Sequence, residues 1–135
     1  MYKAFIFLVS LVSLLMSANM AVADNIEGVV VQGNGNKAQF ERALKLASNM
    51  HEVLKSTKFE VVVFGPTVKF LTALSDEEPL VQKVQAEGIK LIACGRSLKT
   101  DHVAKDDLTP GIPVVPFGAV YIVQRQKAGW QYFKP

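Results

Sequence analysis

Gly88-Ile89-Lys90-Leu91-Ile92-Ala93-Cys94-Gly95-Arg96-Ser97-Leu98-Lys99 carries the only cysteine of the chain to the point where a hydrophobic strand gives way to a turn. Ile89, Leu91 and Ala93 fall on one side of that strand and Ile92 on the other, the two-faced apolar pattern of a strand covered by helices. Cys94 comes at the carboxyl end. In open α/β sheets that edge is where ligands and reactive groups collect, and a helix starting just beyond it would aim backbone N–H groups at the sulfur. Arg96 and Lys99 add positive charge nearby, and such surroundings lower a thiol pKa from about 8.5 into roughly the 3.5–7.5 range. The competing reading is small core filler, because free cysteine is among the most buried residue types.

Upstream, Ile26 to Val31 reads as a strand with a continuous β-branched run, and Gln32-Gly33-Asn34-Gly35-Asn36 breaks it, with Asn36 as an N-cap. Phe40, Ala43, Leu44, Ala47, Met50 and Leu54 then recur at helical spacing from Lys37 to about Ser56. A second strand, Phe59 to Phe64, ends at Gly65-Pro66, where proline fits the first turn of a helix running to about Leu74 with Val68, Leu71 and Leu74 inward. Pro79 starts a short helix that Gly88 closes. Beyond Cys94 the pattern predicts a helix within Ser97 to Asp107. Ile112 to Val115 is a fourth strand, which Pro113 assigns to a sheet edge or to its own beginning. Gly118 to Lys127 is the last helix, with Ala119, Ile122, Val123 and Gln126 on one side, followed by a terminal strand from Trp130 to Phe133. Strands alternating with helices at this spacing predict a three-layer α/β/α sandwich around a mostly parallel five-stranded sheet.

The amino terminus has its own signature. Met1-Tyr2-Lys3, an apolar run from Ala4 to Met16 and the small-x-small pattern Ala21-Val22-Ala23 read as a cleavable signal peptide over residues 1–23, leaving a single domain over 24–135. The apolar run is shorter than the roughly 20 residues of a transmembrane helix, so no permanent membrane anchor is expected. An exported chain with one unpaired cysteine is unusual, since oxidising compartments tend to pair or consume thiols. The net charge of +3 comes from interleaved acids and bases, with no basic stripe for nucleic acid and no polybasic membrane patch.

Other chemistry has weaker signals. Gly33-Asn34-Gly35-Asn36-Lys37-Ala38 matches a relaxed dinucleotide fingerprint after a strand and before a helix. The second strand, however, ends in Phe64-Gly65-Pro66 where an acidic residue should meet the ribose. A Gly/Asn loop with a helix cap is the simpler reading. His51 falls within the apolar sector of the first helix. His102, eight residues after Cys94, is the better placed partner for the thiol, set against its reading as an exposed helix residue. Two histidines and one cysteine far apart in sequence make no metal signature, and no Ser-His-Asp set or P-loop appears, so neither a metal nor a cofactor is expected. Phe64, Phe70 and Leu71 are candidates to roof the Cys94 edge.

Val61-Val62-Val63-Phe64-Gly65-Pro66, Gly88 to Leu98, Asp107-Leu108, Val115-Pro116-Phe117-Gly118 and Gln126 to Pro135 together resemble the DsrE/DsrF-like family, and more narrowly its exported branch. The resemblance implies a DsrE-like fold, assembly as homo-oligomers (trimers or hexamers) and a part in sulfur relay. In the carriers of the family a cysteine just after the third strand accepts a persulfide sulfur, and Cys94 holds that place. The carriers' alanine-rich continuation leading to an arginine and glycine is replaced here by Gly95-Arg96-Ser97-Leu98-Lys99. The expectation is therefore a periplasmic protein that binds or relays sulfur as a Cys94 persulfide. Gly95, Arg96, Lys99 and His102 would support it, and a donor or acceptor protein or small thiol would be its partner. The alternative is an oligomeric binding module with a buried, inert cysteine.

Overall fold

The computed structural model describes residues 25–135, so the signal peptide expected over 1–23 lies outside the described residues. Five strands alternate with helices: β1 (Gly28–Gln32), α1 (Lys37–Val53), β2 (Lys58–Val63), α2 (Glu78–Ala86), β3 (Lys90–Cys94), α3 (Gly95–Thr100), β4 (Val114–Val115), α4 (Gly118–Lys127) and β5 (Gln131–Phe133). Two 3-10 turns, Gly65–Leu71 and Lys105–Asp107, interrupt the alternation. The sheet order is β4-β3-β2-β1-β5 and every pairing is parallel. This is the three-layer α/β fold expected, with an all-parallel sheet where a mostly parallel one was predicted.

The strand order accounts for the layers. From β1 to β4 the chain steps across the sheet in one direction, and connections of one hand then put their helices on one face. Phe40, Ala43, Leu44 and Ala47 of α1, Val81 and Val84 of α2 and Leu98 of α3 all join one core with Val29, Val31, Phe59, Val61, Val63, Ile89, Leu91 and Ala93. The step from β4 to β5 runs back across the whole sheet, so its helix belongs on the other face. There Ile122 of α4 and Trp130 meet Val30, Val62 and Ile92 in a second, smaller core. Among the described residues, one face thus carries three helices and the other only α4.

Local chemistry sets the element ends. Asn36 caps α1 in a reciprocal box, its side chain accepting from the Gln39 N–H while the Gln39 side chain accepts from the Asn36 N–H. Gly88 and Gly129, at φ of 90° and 94°, close α2 and α4 in the left-handed conformation that spares a Cβ penalty.

Three expectations are corrected. The segment after Pro66 is the 3-10 turn Gly65–Leu71, with Val68 and Leu71 buried but Leu74 97 % exposed, because the chain leaves the helix at extended Thr72. The helix predicted within Ser97 to Asp107 is only α3, since His102 takes φ 55° and stops it, and Lys105–Asp107 is a separate turn. In α4 the buried side is Gly118 and Ile122, flanked by half-buried Tyr121 and Arg125, while Ala119, Val123 and Gln126 face outward. The periodicity allowed either side, and Arg125 chose because it has a buried partner. Of the apolar positions on α1, Met50 and Leu54 are half-buried.

That partner is Glu60, 3 % exposed in the middle of the sheet. Arg125 donates to both its carboxylate oxygens, at 2.8 and 2.7 Å, and the Tyr121 hydroxyl donates at 2.8 Å. The guanidinium also lies 4.5 Å from the Trp130 ring centroid. Removing one partner of a buried pair leaves the other charge uncompensated, at about 3–5 kcal/mol. Arg125 is partly exposed, which reduces that cost, so Arg125→Ala is expected to lose about 2–4 kcal/mol in urea unfolding. A loss below about 1 kcal/mol would mean that water screens the pair.

Candidate functional site

Cys94 is the last residue of β3 and the residue from which α3 starts. Its neighbour across the sheet edge is β4, with Cys94 paired to Val115. The helix after β3 leaves toward one face and the helix after β4 toward the other. The carboxyl ends of these two strands therefore form the crevice at a topological switch point. Two helix starts meet there. Gly118, the first residue of α4, stands so near that a Cβ on it would lie 3.1 Å from the Cys94 Cβ and 3.3 Å from Val62 Cγ1. Gly95 is held similarly against β4, where a Cβ would come within 3.2 Å of the Val115 carbonyl and of Val114 Cγ1. Glycine at both positions lets the two chain segments close around the sulfur.

Two opposed effects act on the thiol. Burial, the largest single influence, favours the neutral form, since Cys94 is 3 % exposed. Against it stand the Ser97 hydroxyl and the backbone N–H groups of Gly118, Ser97 and Arg96, which favour the thiolate. These hydrogen bonds prevail, and the Cys94 pKa is held below its ordinary value. The Ser97 hydroxyl is oriented for this: its oxygen accepts from the Gly65 N–H at 2.7 Å, leaving its own hydrogen to donate.

The sulfur is not sealed in either core. Cys94 lines an open recess of about 420 Å³ whose walls are Phe64, Pro66, Phe117 and Ala119, with Ser97 and Arg96 toward α3. Phe64 fulfils its expected place over this edge. Phe70 and Leu71 do not, since Phe70 packs on Phe40 with ring centroids 5.5 Å apart and Leu71 is fully buried in the larger core.

The other candidate residues are distributed as follows. Arg96 lines the recess, but its guanidinium sits 5.2 Å from the Phe117 ring centroid, and what lowers the thiol pKa is its backbone N–H. Lys99 is exposed on α3 outside the recess lining. His102 is exposed past the end of α3 and does not line the recess either. His51 packs edge-on against Phe59 near the start of β2, at the opposite end of the strands. The Gly33-Asn34-Gly35 loop is closed on itself: Gly33 N–H donates to the Val62 carbonyl, Gly35 N–H donates to Thr67, and the capping box takes the helix start.

Ser97 and Gly118 are the two members that sequence reasoning missed. Ser97 had a readable signal, because a serine three residues into a helix whose first boundary is the cysteine reaches back toward it. Gly118 had none, since only the fold brings it to Cys94.

The family model described as the DsrE/DsrF-like family matches residues 26–135. Among solved structures, a protein of unknown function from Methanobacterium thermoautotrophicum is similar at 27 % identity and a TM-score of 0.75, covering 82 % of this chain and 100 % of that one. The ychN protein of E. coli is 11 % identical with a TM-score of 0.69, over 82 % and 100 % of the two chains. A conserved protein of unknown function from Bacteroides thetaiotaomicron is 15 % identical with a TM-score of 0.66, over 81 % and 95 %. The last two likenesses speak to fold alone. A search of curated proteins gives no significant match.

Alkylation of native Cys94 is expected to stay fast somewhat below about pH 8.5, near the ordinary thiol value, and to slow several-fold at neutral pH in Ser97→Ala. The linkage has a definite sign. With the native pKa below the unfolded one, the ionised thiol stabilises the fold fully above about pH 8.5, and this contribution is lost as pH falls through the native pKa. The stability of wild type relative to Cys94→Ala should therefore rise with pH across that window. A flat difference in urea midpoints would contradict the assignment.

Proposed function

Because the chain belongs to the DsrE/DsrF-like family, we propose that it takes part in sulfur relay by carrying a sulfane sulfur as a persulfide on Cys94. The observation that carries this reading is a thiol held toward its anionic form by amides and the Ser97 hydroxyl while it opens on a recess. The thiolate is the nucleophile of sulfur exchange. It attacks the terminal sulfane sulfur of a donor, so that a new bond to Sγ forms. The donor's S–S bond breaks, and its electron pair leaves with the donor. An acceptor thiolate then attacks the outer sulfur of the persulfide and releases the Cys94 thiolate. The same donors that favour the thiolate would hold a persulfide anion one bond further out. The recess provides the room for that extra atom.

The reading extends to setting and assembly. The apolar run and the Ala21-Val22-Ala23 pattern support export to the periplasm. Among the described residues no helix is long and apolar enough to cross a membrane. Phe117, Val120 and Val123, exposed along α4, support contact with further copies of the chain, because apolar side chains grouped on one surface mark interaction sites.

The low exposure of Cys94 favours one rival, a binding module in which the cysteine is inert. The two part in one experiment. Purified protein lacking residues 1–23 is incubated with polysulfide and its intact mass followed. The relay reading expects addition of sulfur to wild type and none to Cys94→Ser. An unmodified wild type, or equal addition to both, would leave the inert module.

A further inference from the structure

The recess has apolar walls and two charged side chains in its lining, Arg96 and Asp101. They are not equivalent. Asp101 faces Lys69 at 3.7 Å, so its charge is offset within the protein. Arg96 has no carboxylate partner among the described residues, and its guanidinium is steadied over the Phe117 ring, itself part of the wall. A guanidinium in that position keeps its charge and its N–H donors for a ligand, and Arg presents them as a planar fork suited to oxyanions. Cys94, 3 % exposed, offers little sulfur surface, so a small or slender reagent reaches it best. Among the described residues that line this recess, no cationic side chain besides Arg96 is present.

We propose that Arg96 is the specificity-determining residue of the recess, recruiting small anionic sulfane-sulfur donors by their charged end while their terminal sulfur meets Cys94. Thiosulfate is the simplest member of the class. This rests on the sulfur-relay reading and assigns Arg96 a role toward the donor, in place of the role toward the thiol that its position in sequence suggested. With thiosulfate the step balances without an added oxidant or reductant. The Cys94 thiolate attacks the sulfane sulfur, the Sγ–S bond forms, and the S–S bond to the oxyanion head breaks. The electron pair leaves with sulfite, and the product is the Cys94 persulfide anion.

The class follows from the chemistry of the walls. A neutral donor would gain only the apolar contacts of Phe64, Pro66 and Ala119, which Arg96 does not change. An anionic donor gains in addition the attraction of one unpaired cation, which on the exposed Arg96 is open to screening by salt. The preference is therefore expected to depend on ionic strength and on this one side chain.

Two measurements on the protein lacking residues 1–23 test it. In the first, loading by thiosulfate is followed by intact mass for wild type, Arg96→Gln and Arg96→Lys. The expected result is a loss of about five- to tenfold in the loading rate of Arg96→Gln, partial recovery in Arg96→Lys, and slower wild-type loading at high salt. The second uses two alkylating agents that differ by one negative charge and need no sulfur chemistry. The ratio of iodoacetate to iodoacetamide rates should fall in Arg96→Gln, while the iodoacetamide rate itself stays within about twofold, because the Arg96 backbone N–H remains. Wild type that takes sulfur from thiosulfate no faster than Arg96→Gln overturns the role of Arg96 and leaves the relay intact. Wild type that takes sulfur from polysulfide but not from thiosulfate overturns the donor class. Wild type that takes sulfur from neither overturns the relay reading, and this donor assignment falls with it. An unchanged iodoacetate to iodoacetamide ratio overturns the electrostatic role whatever the sulfur experiments give.

Discussion

The return of the chain from β4 across the full width of the sheet to β5 is the constraint on which the rest depends. Among the described residues it sends α4 alone to the face that the earlier helices leave bare, and it makes the segments that follow the paired ends of β3 and β4 diverge to opposite faces. Divergence opens a crevice, and the starts of α3 and α4 supply it with backbone N–H groups that have no partner within their own helices. Cys94 lies at that crevice because β3 ends there. The bias on its ionisation comes from the Ser97 hydroxyl and then from backbone amides fixed by the fold, rather than from a charged side chain.

The position of α4 is fixed at two points. Near its end, Arg125 and Tyr121 hold the buried carboxylate of Glu60, and at its beginning Gly118 lies against Cys94. Between them Ile122 provides the apolar seal over Val30, Val62 and Ile92. Burial first, and then the Glu60 carboxylate, push the Tyr121 hydroxyl above its ordinary pKa, so it remains a donor within this set. The polar anchor and the reactive end thus lie toward opposite ends of one ten-residue helix.

Much of this was legible in the residues. The β-branched runs of β1 and β2, the alternation in β3, the Asn36 cap and the Gly88 and Gly129 stops all act through neighbours in sequence, so their signals are local. The bounds of α4 were readable as well, but its inward side was not. Both sides carry apolar residues, and the choice depends on Glu60, more than sixty residues upstream. Cys94 was readable as a strand-end residue. Its surroundings were readable only in part, for Ser97 lies within reach in sequence whereas Gly118 and Gly65 arrive through the tertiary fold. Arg96 and Lys99 were both near in sequence, but only Arg96 lines the recess, with its guanidinium over Phe117, while Lys99 is exposed on α3 outside the lining.

Placing the sulfur at the floor of a recess, between Phe64 and Phe117, has a consequence for a protein with one cysteine. With Cys94 only 3 % exposed, two copies present little sulfur to each other for the roughly 2 Å approach that an S–S bond requires. Covalent cross-linking of one copy to another is therefore disfavoured by shape, without a second cysteine to guard the thiol.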